Sequence, residues 1–235
     1  MSTVIQLSEI FGPTIQGEGS QIGRPTLFVR TAGCDYRCSW CDTLYAVDTT
    51  HRDSWYKATA EEIMAEVERL SDHTPMMVTL SGGNPAMYDL SYLIDMGHAK
   101  GYQFSMETQG SLPRKWFSKL DVLTLSPKPP SSDMDTDWDK LKECVSLVGE
   151  TTQLSLKVVI FDQHDYDYAQ SVNALFPELP LYLQTGNPSV GGKADIPGVL
   201  DKLKWLADKV AQDKWHKACV LPQLHVLAWG NERGV

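Results

Sequence analysis

A chain of 235 residues with 42% hydrophobic and 22% charged residues has the size and composition of one globular domain with a sizeable core. Its formal net charge of −9 argues against a protein whose main task is gripping phosphate backbones, so no direct nucleic-acid partner is expected. The N-terminal Met1-Ser2-Thr3-Val4-Ile5-Gln6 has no basic leader, and no run of about 18 apolar residues occurs, so the expected compartment is the cytoplasm and no membrane contact is expected.

In chain order, residues 9–23 are glycine-rich and read as a loop, Phe11-Gly12-Pro13-Thr14-Ile15-Gln16-Gly17-Glu18-Gly19. Thr26-Leu27-Phe28-Val29-Arg30-Thr31 then reads as a buried strand. Arg30 inside that apolar run needs a carboxylate partner, either a bound ligand or Glu9 or Glu18. Residues 48–56 carry no signal that assigns them. Thr59-Ala60-Glu61-Glu62 has capping-box form, and Ile63, Val67 and Leu70 recur behind it at helical spacing.

Met76 to Leu80 predicts a strand ending in Ser81-Gly82-Gly83-Asn84-Pro85, followed by a helix over 90–100. Strands over 102–106 and 121–125 end in Glu107-Thr108-Gln109-Gly110 and Ser126-Pro127-Lys128. An apolar run over 154–161 is followed by a helix with Ala169, Val172 and Phe176 on one face. A strand over 181–183 ends in Gln184-Thr185-Gly186-Asn187, and a helix with Leu200, Leu203, Ala207 and Val210 inward leads to a last strand near Cys219. Cys144 and Cys219 read as core residues, and Trp205, Trp215 and Trp229 as packing.

Strand, polar end and helix recur about six times, which calls for a parallel sheet with right-handed crossovers. The expected fold is α/β, a partial (β/α)6 barrel of the TIM type, in a single domain over residues 1–235; a doubly wound sheet would show the same alternation. Ser81, Glu107, Ser126, Lys128, Gln184 and Gln223 all fall at strand C-terminal ends, where barrel active sites are built.

Three of the five cysteines, Cys34, Cys38 and Cys41, lie in one loop at the spacing C-x3-C-x2-C, just past the first of these strands. An odd cysteine count fits reduced thiols and a metal better than a disulfide framework. Three thiolates are one short of the four that complete a [4Fe-4S] cage, which leaves one iron open. The spacing also admits a zinc site completed by Cys144, Cys219 or a histidine, or three buried thiols without metal.

With Trp40 before the last cysteine, this loop resembles the cluster loop of the radical S-adenosylmethionine (SAM) superfamily. Ser81-Gly82-Gly83-Asn84-Pro85 resembles that superfamily's G-G-E-P segment, with Asn84 where glutamate is usual. Thr14-Ile15-Gln16-Gly17-Glu18-Gly19, Cys41-Asp42-Thr43, Glu107-Thr108-Gln109-Gly110, Ser126-Pro127-Lys128 and Gln223-Leu224-His225 together are similar to the 7-carboxy-7-deazaguanine synthase family of the queuosine pathway.

The resemblance implies a ring contraction. An electron from a flavodoxin or ferredoxin would cleave SAM at the cluster, and the resulting 5′-deoxyadenosyl radical would take a hydrogen from C6 of 6-carboxy-5,6,7,8-tetrahydropterin. Ammonia would leave as 7-carboxy-7-deazaguanine forms. By the same resemblance Cys34, Cys38 and Cys41 would hold the [4Fe-4S] cluster. The backbone of Trp40, Cys41 and Asp42, with Gly83, Glu107, Ser126, Pro127, Lys128, Gln184, Thr185, Gly186 and Asn187, would hold SAM. Ile15, Gln16, Gly17, Arg30, Ser81 and His225, with the terminal carboxylate of Val235, would hold the pterin. Thr43 would offer its hydroxyl to Mg²⁺, a hard cation that keeps several waters and needs few protein ligands. A homodimer is expected from the family. Another small radical SAM protein, a glycyl-radical activase, would share the cluster loop but act on a protein.

Overall fold

The computed structural model describes residues 4–189 and 192–235, so part of the N-terminal stretch read above, Met1 to Thr3, lies outside the described residues. The chain opens with β1 (Ile5–Ile15) and β2 (Pro25–Thr31), paired antiparallel. The glycine-rich segment is therefore a strand as far as Ile15, and a loop only at its tip. Its register slips between Phe11 and Thr14, where Gly12 takes φ +113° before a cis peptide bond to Pro13. A Cβ on Gly12 would lie 3.0 Å from the Thr26 carbonyl, so glycine lets the irregular strand stay on its neighbour.

After the cysteine loop come α1 (Leu44–Val47), a 3-10 turn over Thr49–Ser54, and β3 (Tyr56–Ala58), which pairs antiparallel with the start of β1. Residues 48–56 are thus a capped turn and an edge strand, with the Asp48 side chain accepting from Thr50 N at 2.9 Å. In α2 (Ala60–Leu70) the capping box is complete: Glu62 N donates to Thr59 Oγ1 and Thr59 N donates to Glu62.

The alternation then runs β4 (Met77–Gly82), α3 (Ser91–Ala99), β5 (Gln103–Thr108), β6 (Val122–Leu125), α4 (Trp138–Ser146), β7 (Gln153–Ile160), α5 (Gln163–Leu175), β8 (Leu181–Thr185), α6 (Ile196–Gln212), β9 (Ala218–Leu221) and α7 (Leu224–Trp229). Between β5 and β6 the crossover is a 3-10 turn over Lys115–Lys119 rather than an α-helix. One nine-stranded sheet results, in the order β3-β1-β2-β4-β5-β6-β7-β8-β9.

From β2 through β9 every neighbour is parallel and follows in chain order. A doubly wound sheet reverses direction at a switch point, and this one does not, so the sheet is a partial barrel that ends at β3 and β9 without closing.

Period-two alternation sorts the strand side chains. One set, including Val78, Leu80, Phe104, Leu123, Leu125, Leu156 and Val158, is buried in the apolar core that the helices cover. The other set is short and polar. Thr79 Oγ1 bonds Thr26 Oγ1 at 2.8 Å and Ser105 Oγ at 2.9 Å, and Thr124 bonds Ser155 at 3.3 Å. These hydroxyls bond one another, so a polar surface persists inside the barrel.

Several readings of individual side chains are corrected. Cys219 is exposed on β9, the last strand of the sheet, and on α6 Leu200, 46% exposed, and Ala207 face outward because the helix buries Val199 and Leu206 instead. Trp205 and Trp229 likewise sit at the surface, whereas Cys144 is buried with its thiol directed at the Gly110 carbonyl.

Candidate active site

At the C-terminal ends of the parallel strands lies a cavity of about 290 Å³. Cys34, Cys38 and Cys41 form part of its wall, on the loop between β2 and α1. That loop is pinned by backbone contacts: Gly33 N donates to the Ala46 carbonyl at 2.7 Å, and Asn84 N donates to the Gly33 carbonyl at 2.8 Å. A Cβ at Gly83 would lie 1.9 Å from the Gly33 carbonyl oxygen, and one at Gly82, whose φ is +125°, would lie 2.1 Å from that of Thr31. The two glycines after β4 exist to let the cysteine loop dock.

Burial, ahead of any other cause, pushes the Cys34, Cys38 and Cys41 thiols up, Cys38 to about 11, while the nearby Lys128 ammonium pulls the other way. Unmetallated, they are thiols at neutral pH, so metal uptake must release protons. Among the described residues no three His, Cys, Asp or Glu side chains gather around one point as a single metal ion requires. A cluster takes each thiolate on a separate iron, and three soft donors on one cavity wall fit that demand.

The rest of the wall comes from elements far apart in sequence. Trp40 tilts over Phe161, centroids 5.3 Å apart, and Lys128 lies 5.7 Å from its ring centre. Asp42 and Thr43 face the same space, with Thr43 Oγ1 donating to Asp42 Oδ1 at 3.1 Å. Ile15, Gln16 and Gly17 line the opposite side with His225. Gly17 is a glycine because His225 occupies its Cβ space, with Nδ1 2.1 Å from where that atom would be. Gly186 and Asn187 line the wall, Gly186 under the Phe161 ring, while Ser126, Pro127, Gln184 and Thr185 are buried behind it.

Of the partners that its sequence context left open, Arg30 takes Glu9. Its Nε donates to Glu9 Oε1 at 2.8 Å, yet the guanidinium lines the cavity between the Phe11 and Tyr45 rings. Glu9 is held again by Arg233, whose Nε donates to Oε2 at 2.9 Å and whose guanidinium lies 3.8 Å over Tyr45. Residues 230–235 therefore fold back from α7 across the strand ends to β1, and Val235 reaches the cavity. Asn231 accepts from Asn187 Nδ2 at 2.8 Å and ties this segment to β8 as well.

A residue the sequence reading passed over holds the cavity floor. Lys157 on β7 is 1% exposed and bridges Glu18 and, at 2.6 Å, Glu107. Gln223 Nε2 donates to the other Glu18 oxygen at 2.8 Å. Burial favours a protonated Glu18, but the charges of Lys157 and His225 and the bonds from Gln223 and Lys157 outweigh it and hold the carboxyl well below its usual range. For Lys157, burial favours the neutral amine, and the two carboxylates override it and raise the pKa. The signal was an isolated charge inside an apolar strand, the same signal that singled out Arg30.

Several buried polar atoms on this side lack partners among the described residues: Ser81 Oγ, both amide atoms of Gln184, and Gln223 Oε1. Uncompensated groups of this kind are rare in folded proteins and mark where a polar ligand completes the structure.

Residues 28–150 match the family model of the Radical SAM superfamily. The chain is 44% identical to a 7-carboxy-7-deazaguanine synthase of Bacillus cereus over 98% of this chain and 99% of that one. It is 45% identical to one of Bacillus subtilis over the whole of both. The chain belongs to the 7-carboxy-7-deazaguanine synthase family. In fold, the radical SAM enzyme described here superposes on the crystal structure of QueE from Escherichia coli with a TM-score of 0.71 at 21% identity, over 94% of this chain and 95% of that one. Among the described residues no helix is long and apolar enough to cross a membrane.

Two substitutions test this geometry. Gly83→Ala places a methyl where the Gly33 carbonyl sits, so iron uptake on anaerobic reconstitution should fall severalfold while the far-ultraviolet circular dichroism spectrum is kept; normal iron content would show that the loop docks without this contact. Lys157→Met leaves two carboxylates facing each other and should cost about 3–5 kcal/mol at pH 7 by urea unfolding. In the parent the Glu18 contribution is present above the ordinary carboxylate pKa of about 4.3 and is lost as pH falls below it. In the variant a lower pH instead neutralises the repulsion, so the stability gap between the two proteins should narrow from pH 7 to pH 4. A gap that is constant with pH would contradict the charge network.

Proposed function

We propose that this chain catalyses the ring contraction of 6-carboxy-5,6,7,8-tetrahydropterin to 7-carboxy-7-deazaguanine with loss of ammonia, a radical SAM carbon–nitrogen lyase step in queuosine precursor biosynthesis. The observation that carries this reading is the full-length 44–45% identity to proteins of that name, joined to three thiols that face a guanidinium across one cavity. When bound, the cluster and SAM supply one-electron chemistry that removes a hydrogen atom from the substrate.

The chain's own residues divide the work by position. Cys34, Cys38 and Cys41 would hold the cluster, which would supply the electron that cleaves SAM. Trp40, Cys41, Asp42, Gly83 and Glu107 receive SAM, with Lys128, Gly186 and Asn187 on the wall and Ser126, Pro127, Gln184 and Thr185 supporting from behind. Ser81 Oγ and Gln223 Oε1, on residues that line the cavity and without partners among the described residues, favour a polar ligand. Arg30 takes the substrate carboxylate with its terminal nitrogens, since Nε is spent on Glu9. Ile15, Gln16, Gly17, Ser81, His225 and Val235 would receive the pterin ring, and Thr43 would offer its hydroxyl to Mg²⁺.

Residues 1–235 act as a single radical SAM domain, supported by the one continuous sheet. The reductant is a flavodoxin or ferredoxin, the assembly a homodimer and the compartment the cytoplasm. These four statements rest on the family resemblance together with the low-molecular-weight chemistry of the cavity.

The test is anaerobic: reconstituted, reduced protein with SAM, Mg²⁺ and 6-carboxytetrahydropterin, followed by mass spectrometry. Formation of 7-carboxy-7-deazaguanine only when SAM and reductant are both present is expected. SAM cleavage with the pterin untouched would move the substrate assignment to another radical SAM reaction.

A further inference from the structure

Asp35 stands directly after Cys34 in the cysteine loop, and its carboxylate is gripped from outside that loop. Asn84 Nδ2 donates to Oδ1 at 2.8 Å, Gln109 Nε2 donates to the same oxygen at 2.7 Å, and Ser111 Oγ donates to Oδ2 at 2.6 Å. Asn84 is fully buried, and its own oxygen accepts from Ala86 N at 3.1 Å and Thr108 Oγ1 at 2.8 Å. That pairing fixes which end of the amide faces Asp35. The Gln109 nitrogen also lies 3.7 Å from Cys34 Sγ. A primary amide carries two N–H groups, so one serves the carboxylate and the other the sulfur.

Gln109 lines the cavity, while Asp35 and Asn84 do not. The carboxylate therefore orients other groups rather than meeting a ligand. A charged acceptor at 2.7 Å is a strong anchor, and it aims the second N–H of Gln109 at the thiol. Hydrogen bonds to a cluster's sulfurs are among the determinants of its reduction potential, because they stabilise the more negative, reduced state.

We propose that Gln109, aimed by Asp35, is a positioning residue for Cys34 that donates to its sulfur and raises the reduction potential of the cluster. The inference rests on the cluster reading above. Asn84 and Asp35 form an acid–amide pair whose order matters: an acid at both positions would set two carboxylates in contact and release the loop.

The experiment compares Gln109→Leu, Gln109→Met, Asn84→Asp and the double variant Asn84→Asp/Asp35→Asn with the parent. The potential is read by redox titration monitored by electron paramagnetic resonance, without substrate, and the loop by hydrogen exchange of residues 33–42 in the metal-free protein. Gln109→Leu should keep its iron and shift the midpoint to more negative potential. Should that variant fail to fold, Gln109→Met, which keeps the length of the side chain without an N–H, should shift it in the same direction. Asn84→Asp should speed exchange across the loop severalfold, and adding Asp35→Asn should reverse part of that increase, because it removes the carboxylate contact but meets the Gln109 N–H with a second donor. A folded Gln109 variant with the parent potential overturns the sulfur contact, and unaltered exchange in Asn84→Asp overturns the clamp. A parent that takes up no cluster overturns the functional reading on which both stand.

Discussion

The close approach of two backbones, Gly33 in the cysteine loop and Gly83 after β4, is the constraint on which the site depends. There is no room for a side-chain carbon between them, so the loop is seated on the strand end by main-chain hydrogen bonds rather than by side chains that could rotate away. Three thiols on a loop would otherwise be free to scatter. Seated in this way, they face a cavity whose other walls come from both ends of the chain, from Phe11 on β1 to Val235. The parallel order of the sheet makes this possible, because every strand from β2 to β9 delivers its C-terminal end to the same side.

A second constraint is electrostatic. A barrel interior that must receive polar ligands cannot be filled with leucine and valine, and here it is lined by short hydroxyls that bond one another and by Lys157 between two carboxylates. Lys157 and Glu18 stay ionised because each fixes the other. The chain folds back at its far end for a related reason. Arg233 shares Glu9 with Arg30, so residues 230–235 complete the wall next to the guanidinium they help to orient.

Much of this was legible in the sequence. The seven parallel strands, the capping box at Thr59, the cysteine loop and the polar strand ends rest on local patterns that tertiary contacts left intact. The first strand was hidden because Gly12-Pro13 interrupts it and reads as a turn, yet β2 on one side and β3 on the other hold it extended. Three residues, Tyr56–Ala58, are too few to show alternation, and they form a strand through their pairing with Ile5–Leu7. Leu200 and Cys219 were read as inward because the pattern shows an apolar face but not whether anything covers it. The roles of Lys157, Asp35 and Gln109 are hidden for a different reason, although Lys157 is a lone charge in an apolar strand and Gln109 stands in a strand-end motif. Their roles lie in partners 139, 49 and 75 positions away in the chain, Glu18, Asn84 and Cys34, which no window of sequence brings together.

The central claim is that three thiolates hold a cluster with one iron left for an exogenous ligand. Mössbauer spectroscopy of protein reconstituted with iron-57, recorded with and without SAM, tests it most directly. The account predicts that one iron in four changes its signal when SAM is added and that the other three do not. Four irons indifferent to SAM would mean that a fourth protein ligand closes the cage, and the site would then carry electrons without opening an iron to a substrate.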